Sequence, residues 1–176
     1  VGDMIKMQMR KIVVGAVAAV IATGCVPPDN AGPPQIGQPA REYAATTLAG
    51  DEVTLESLRG EAVLLNLWAT WCTPCRMETP YLQDIYEEYE AEGFEIVGIS
   101  MDTGDAAGDV AMFVEEYGVT YTILHDPQMM GYELYQVLGL PATFLIDREG
   151  VLRWMRYGPI PEGDPDFLKA LEDVLS

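Results

Sequence analysis

Two cysteines stand two residues apart in Trp71-Cys72-Thr73-Pro74-Cys75-Arg76, between an apolar run and a helix-like segment. If Cys72 lies just before a helix and Cys75 in its first turn, the two sulfurs come side by side and can close a small disulfide ring. A helix start offers unpaired N–H groups and positive partial charge, both of which favour a thiolate. The thiolate is the reactive form, so this position activates the cysteine that occupies it. A C-x-x-C can also be half of a zinc site, but that needs a second ligand pair, and the other cysteine and histidine ligands are Cys25 and His125 alone. A purely structural disulfide is the other alternative; so short a loop constrains the unfolded chain little. Between a strand and a helix, the spacing reads as a redox motif.

The elements around the pair follow from hydrophobic periodicity. Ala62 to Trp68 is a continuous apolar run broken only by Asn66, which predicts a central buried strand. Pro74 to Glu92 predicts a helix, with Tyr81, Leu82, Ile85, Tyr86 and Tyr89 forming an apolar stripe. Pro80 lies inside that helix and removes one backbone bond, so a kink is expected there. Tyr43 to Leu48 and Val53-Thr54 read as strands around a turn at Gly50-Asp51. Further on come a strand over 94–100, a helix over 105–117, a strand over 121–124 and a short helix over 129–137. Strands over 142–146 and 151–157 are joined by a turn at Asp147-Arg148-Glu149-Gly150. Asp164 and Pro165 open a last helix, as N-cap and first-turn residues. This order predicts an α/β fold, a mixed β-sheet flanked by helices on both faces. The loop after Trp68 then falls at the C-terminal edge of a central strand, where open α/β sheets place their sites.

The chain has 176 residues, enough for one domain with an appendage, and a net charge of −18. Nucleic-acid binding is disfavoured, because phosphate contacts need basic surface. Lys6, Arg10 and Lys11 precede an apolar stretch from Ile12 to Ala22, then Thr23-Gly24-Cys25. A basic stub, a short apolar run and small residues predict a secretory signal peptide rather than a membrane-spanning helix. Met4 or Met7 is the expected start of translation. The stretch resembles a bacterial lipoprotein signal, which implies that Cys25 becomes a lipidated first residue anchored in the bilayer, although Ala22 stands where Leu or a β-branched residue is usual. Lipidation would leave one cysteine pair, and a lone close pair in an exported protein is better explained by redox chemistry than by stapling. Beyond residue 24 the chain carries seven basic and 27 acidic groups, a net charge of −20. Solubility accounts for that charge; a saline habitat is the sharper reading, tested by whether the melting temperature rises with salt. Val26 to Pro39 holds five prolines and reads as an extended tether. The expected organisation is a signal peptide over 1–24, a lipidated tether over 25–40 and one domain over 41–176.

Three separated features resemble one family. Asn66 to Cys75 is similar to the active-site segment of thioredoxin-fold proteins. Arg76-Met77-Glu78-Thr79-Pro80 continues it in the manner of the TlpA/ResA-like branch. Gly139-Leu140-Pro141-Ala142-Thr143-Phe144 through Gly150 looks like that branch's cis-proline loop and hairpin. The resemblance implies a thioredoxin-like fold and a thiol–disulfide oxidoreductase without cofactor or metal. It implies Cys72 as the exposed nucleophile, Cys75 as the less exposed resolving thiol, and Glu78 as a buried carboxylate near them. A desolvated carboxylate has a raised pKa and can move protons near neutrality; a solvated first-turn Glu is the alternative. Asn66 stands where thioredoxins proper carry a buried Asp, and Asn cannot titrate. Pro141 is expected to be cis, with Leu140 amide groups, Trp71, Thr73 and Pro74 contacting an extended partner segment. Implied partners are protein thiols and disulfides, of the apocytochrome c or copper-assembly type, with a membrane thiol-transfer protein as electron donor. Two rivals are a peroxiredoxin-like enzyme and a non-enzymatic copper chaperone, the latter using His125 beside the cysteines.

Overall fold

The computed structural model describes residues 32–176; the expected signal peptide and the expected lipidation site, Cys25, lie outside the described residues. Seven strands form one sheet in the order β2-β1-β5-β4-β3-β6-β7. They are β1 (Ala44–Thr47), β2 (Glu52–Thr54), β3 (Ala62–Trp68), β4 (Phe94–Ser100), β5 (Thr122–His125), β6 (Ala142–Ile146) and β7 (Leu152–Tyr157). The helices are α1 (Thr73–Tyr89), α2 (Ala107–Tyr117), α3 (Met130–Leu134) and α4 (Pro165–Leu175). β3, β4 and β5 run parallel, whereas β6, β7 and the β1–β2 hairpin pair antiparallel.

All seven residues of β3 are buried, which is why its sequence is a run rather than an alternation. Leu64 and Trp68 face a core built with Leu82 and Ile85 of α1, Phe113 of α2 and Phe167 and Leu171 of α4. Val63, Leu65 and Leu67 face a second core with Tyr43, Leu55, Val97, Ile99, Tyr135 and Phe144. Each fully buried Leu contributes about 1.5–3 kcal/mol relative to exposure. β3 is thus clamped from both sides, and its C-terminal end is a rigid mount.

Several elements differ from the sequence expectation. α1 ends at Tyr89 and passes into a 3₁₀ turn, Glu90–Glu92, which Gly93 closes at φ 79°. The helix runs on through Pro80. α2 starts at Ala107, and β5 is shifted by one residue. α3 spans only five residues, because Met129 (φ 57°) and Gln136 (φ 49°) take left-handed backbone at its two ends. Residues 37–40, expected to lie before the domain, are paired with it. Gly37 N–H donates to Leu152 O (2.8 Å), Leu152 N–H to Gln38 O (2.9 Å) and Ala40 N–H to Gly150 O (2.8 Å). Residues 37–40 are therefore stitched to the start of β7 and belong to the domain. Among the described residues no helix is long and apolar enough to cross a membrane.

Candidate active site

The register brings three strand ends together. Leu67 pairs with Ala142, so Pro141, just before β6, lies beside the chain leaving β3. Trp68 pairs with Ser100, so the residues after β4 lie beside the same loop on its other flank. The loop Ala69–Trp71 emerges between them and delivers Cys72 to the start of α1.

Cys72 is the N-cap of α1, with extended backbone, and its Sγ accepts the Cys75 N–H at 3.3 Å. Pro74 sits in the first turn, where its missing N–H costs nothing. The two cysteines form a disulfide with Cα atoms 5.3 Å apart. Cys75 is 1 % exposed and Cys72 only 5 %. Cys72 is therefore not, in the disulfide form, the exposed group that the family resemblance implied. With the sulfur–sulfur bond formed, its Sγ is folded onto the first turn, and Cys72 belongs to the core that also holds Trp68, Ala69 and Leu82. What stands open at the site is Trp71, at 69 % exposure, with Thr73 exposed and Pro74 half-buried.

Glu78 lies one helical turn beyond Cys75, on the inner face of α1, and is 3 % exposed. Its Oε1 accepts Asn66 Nδ2–H at 3.0 Å, and its Oε2 accepts the Ile160 N–H at 2.9 Å. Asn66 also donates to Thr143 Oγ1 at 2.9 Å, its direct cross-strand neighbour. Burial pushes the Glu78 carboxyl up to about 7, against the lowering effect of those hydrogen bonds and of the Arg156 charge. The site thus holds a proton acceptor poised near neutrality, a turn from the thiols.

The Leu140–Pro141 peptide is cis. Pro141 is buried, Leu140 half-buried, and Leu138 projects at 87 % exposure. His125 binds through Nε2–H to the Asp102 carbonyl at 2.9 Å. Among the described residues its other ring nitrogen carries no such bond, and the ring is placed against the backbone after β4.

Sequence reasoning missed two contributors here. Ile160 reaches Glu78 from 82 residues away through a backbone N–H, which no side-chain pattern announces. Asp102 binds the loop before Cys72 with its carboxylate, at Thr70 N–H (2.9 Å) and Thr70 Oγ1–H (2.6 Å). Its only signal was a carboxyl at the end of a predicted strand.

A parallel-cored sheet with a disulfide at a helix start, a buried carboxyl one turn on and a cis-proline alongside defines a thioredoxin-fold dithiol–disulfide protein. The AhpC/TSA family matches residues 36–155. A thiol-disulfide oxidoreductase ResA of Geobacillus kaustophilus is 36 % identical over 129 residues, 73 % of each chain. Another, of Bacillus thuringiensis, is 39 % identical over 116 residues, and the chain spans 66 % of that relative's length. A Chlorobium tepidum structure assigned as the thiol:disulfide interchange protein DsbE superposes with TM-score 0.75 at 30 % identity. That match covers 81 % of this chain and 99 % of the other. A second Chlorobium tepidum thiol:disulfide interchange protein of the thioredoxin family gives 0.68 at 26 %, covering 81 % and 99 %. The chain belongs to the AhpC/TSA family, as one of its ResA-like thioredoxin-fold thiol–disulfide oxidoreductases.

Proposed function

We propose that the protein reduces disulfides of specific partner proteins outside the cytoplasmic membrane, through the Cys72/Cys75 dithiol. The observation that carries this is the cysteine pair at the α1 N-terminus with a buried, neutral-range carboxyl one turn away. The helix start favours the thiolate of Cys72. Its sulfur attacks one sulfur of the partner disulfide; a Cys72–partner bond forms, the partner bond breaks, and the second partner sulfur leaves with the electron pair. Cys75 then attacks Cys72 Sγ and gives its proton to Glu78. The Cys72–Cys75 bond forms and the partner leaves as a dithiol, having gained two electrons and, from Glu78 and solvent, two protons. Trp71, Thr73, Pro74, Leu140 and Pro141 form the surface that receives the partner segment, as an extended chain.

Export rests on the signal-like N-terminus, and tethering on Cys25 as a lipidated residue. The bilayer, a membrane thiol-transfer protein as donor, and apocytochrome c or copper-assembly proteins as acceptors complete the reading. It is tested by expressing the Cys75→Ser chain in its own cell and separating proteins under non-reducing conditions. The stalled Cys72–partner disulfide is expected as a thiol-sensitive adduct in the membrane fraction, absent from Cys72→Ser/Cys75→Ser. No adduct, or an adduct that forms equally without Cys72, overturns the reading. Cys25→Ala is expected to move the protein to the soluble fraction; an unchanged distribution overturns the tether.

A further inference from the structure

The loop that carries Cys72 is held at one residue from two sides. Thr70 gives its N–H to Asp102 Oδ2 at 2.9 Å and its hydroxyl to Asp102 Oδ1 at 2.6 Å. Its carbonyl accepts from Arg76 Nη1–H at 3.3 Å. Asp102 is 4 % exposed and is itself anchored: Ser100 Oγ–H donates to Oδ2 at 2.9 Å, and Asp102 N–H returns to Ser100 Oγ at 3.2 Å. Ser100 is fully buried at the end of β4, opposite Trp68. The Met101 N–H to Trp68 O bond, 2.8 Å, ties the same two chain segments just below. His125 from β5 holds the Asp102 carbonyl. On the other side, the Arg76 guanidinium lies 5.4 Å from the Phe113 ring centre and 5.2 Å from that of Tyr117, and pairs with Glu116 at 3.2 Å. Arg76 is therefore fixed by α2 before it reaches Thr70.

A carboxylate buried to this degree survives only where donors surround it, and three donors meet this one. Two of the three come from a single residue two positions before Cys72. A bidentate grip of that kind fixes both position and orientation of the short chain between Thr70 and the helix start. At its far end the loop is tied to α1 through Cys72, by the Arg76 N–H to Cys72 O bond at 3.1 Å and the disulfide; between Trp68 and Cys72, the other backbone bond is Cys72 N–H to Ala69 O at 3.1 Å, within the loop itself.

We propose that Asp102 is a positioning residue for the thiol–disulfide reaction: through Thr70 it holds the 69–72 loop so that Cys72 presents its sulfur in line for attack. The dependence runs along one path, Ser100–Asp102–Thr70–Cys72, and so the two polar links in it act as a unit. This rests on Cys72 being the attacking thiol, and the experiment separates the two ideas. The reduced full-length protein is mixed with 5,5′-dithiobis(2-nitrobenzoate). In the first step the Cys72 thiolate bonds to one sulfur of the probe, the probe's sulfur–sulfur bond breaks, and thionitrobenzoate leaves with the electron pair. Its absorbance gives the second-order rate. Thiol titration at 240 nm corrects each variant to the fully ionised thiolate, so that only presentation of the sulfur remains in the comparison.

Asp102→Asn leaves at least one of the three donors without an acceptor, and Thr70→Val removes the hydroxyl donor. Each is expected to slow the corrected rate about tenfold, less than the roughly hundredfold that a ~1 Å misplacement of a reacting group can cost. The double variant is expected to be no slower than either single one, because both break the same path. Thr70→Ser keeps both donors and is expected to react within about twofold of the parent. Asp126→Asn is the control. Asp126 is also 4 % exposed and holds Tyr43 Oη–H at 2.9 Å and Gly131 N–H at 2.7 Å, away from this loop; it is expected to leave the rate unchanged. Folded Thr70→Val reacting at the parental rate overturns the proposal, even should Asp102→Asn fail to fold. Additive losses, about a hundredfold in the double variant, overturn it too, since the two residues would then act separately. If Cys72→Ser keeps the fast reaction and Cys75→Ser loses it, the assignment of Cys72 fails and the proposal falls with it.

Discussion

Replacing Glu78 with Gln should remove a pH-dependent weakness from the oxidised domain. The carboxyl titrates at about 7 in the fold and at an ordinary 4.5 in the unfolded chain, with burial as the leading cause. Between those values the folded protein binds a proton that the unfolded chain has already released. Stability therefore falls as pH rises through this window. The penalty is absent below 4.5, grows up to about 7 and is constant above it. Its size follows from the shift, and is about 3 kcal/mol. Gln keeps the shape, and its one carbonyl can take the Ile160 N–H. Its NH₂ then faces Asn66, whose amide can turn over to accept it, with the Thr143 hydroxyl donating to Asn66 in turn. The hydrogen bonds persist while the charge is gone. Urea unfolding of oxidised parent and variant at pH 4.5, 6 and 7.5 measures this. The two should agree within about 0.5 kcal/mol at the lowest pH, and the variant should gain about 3 kcal/mol by the highest. For a domain of this size that is about 10 °C in melting temperature. A difference that stays constant across the range would refute the reasoning, because a packing change carries no pH dependence.

The same substitution should slow resolution of the Cys72–partner disulfide by about tenfold near neutrality and flatten its pH profile, read by quenched-flow trapping of the adduct. Trp71→Ala removes an exposed apolar group beside Cys72. It should raise KM for a protein disulfide several-fold with kcat nearly unchanged, and move stability by less than about 0.5 kcal/mol. Phe167→Ala empties a fully buried position that packs on Trp154, 5.3 Å between ring centres, and on Tyr81 at 6.5 Å. It should cost about 4 kcal/mol in urea unfolding while leaving the thiol chemistry of the surviving folded protein intact.

The parts of the fold that could be read in the sequence are those whose cause is local. β3 showed itself because a strand covered on both faces must be apolar throughout, and α4 because Asp164 and Pro165 are an N-cap pair; Asp164 Oδ1 accepts the Asp166 and Phe167 N–H groups. The C-x-x-C at a strand-to-helix junction carried the chemistry, and Pro141 was recognisable from its flanking pattern. What escaped reading is what distant backbone decides. Residues 37–40 have a linker's composition, yet their backbone groups are paired with the hairpin start. α3 stops early because Gln136 adopts left-handed backbone, a conformation its residue type does not predict. The burial of Cys72, disulfide-bonded to Cys75 and part of the core on the α1 side of the sheet, is a tertiary property. Spacing put Glu78 on the face of Cys75 and the family resemblance implied its burial, but its acidity is set by that burial against Ile160, Asn66 and Arg156, which only the tertiary fold assembles.

The reduction potential of the Cys72–Cys75 pair tests the central claim most directly. The protein is equilibrated in graded thiol–disulfide buffers and the dithiol fraction counted by alkylation and mass. A reductant of partner proteins should titrate reversibly near thioredoxin's value, about −270 mV. A value near about −120 mV would make the pair a disulfide donor and contradict the account.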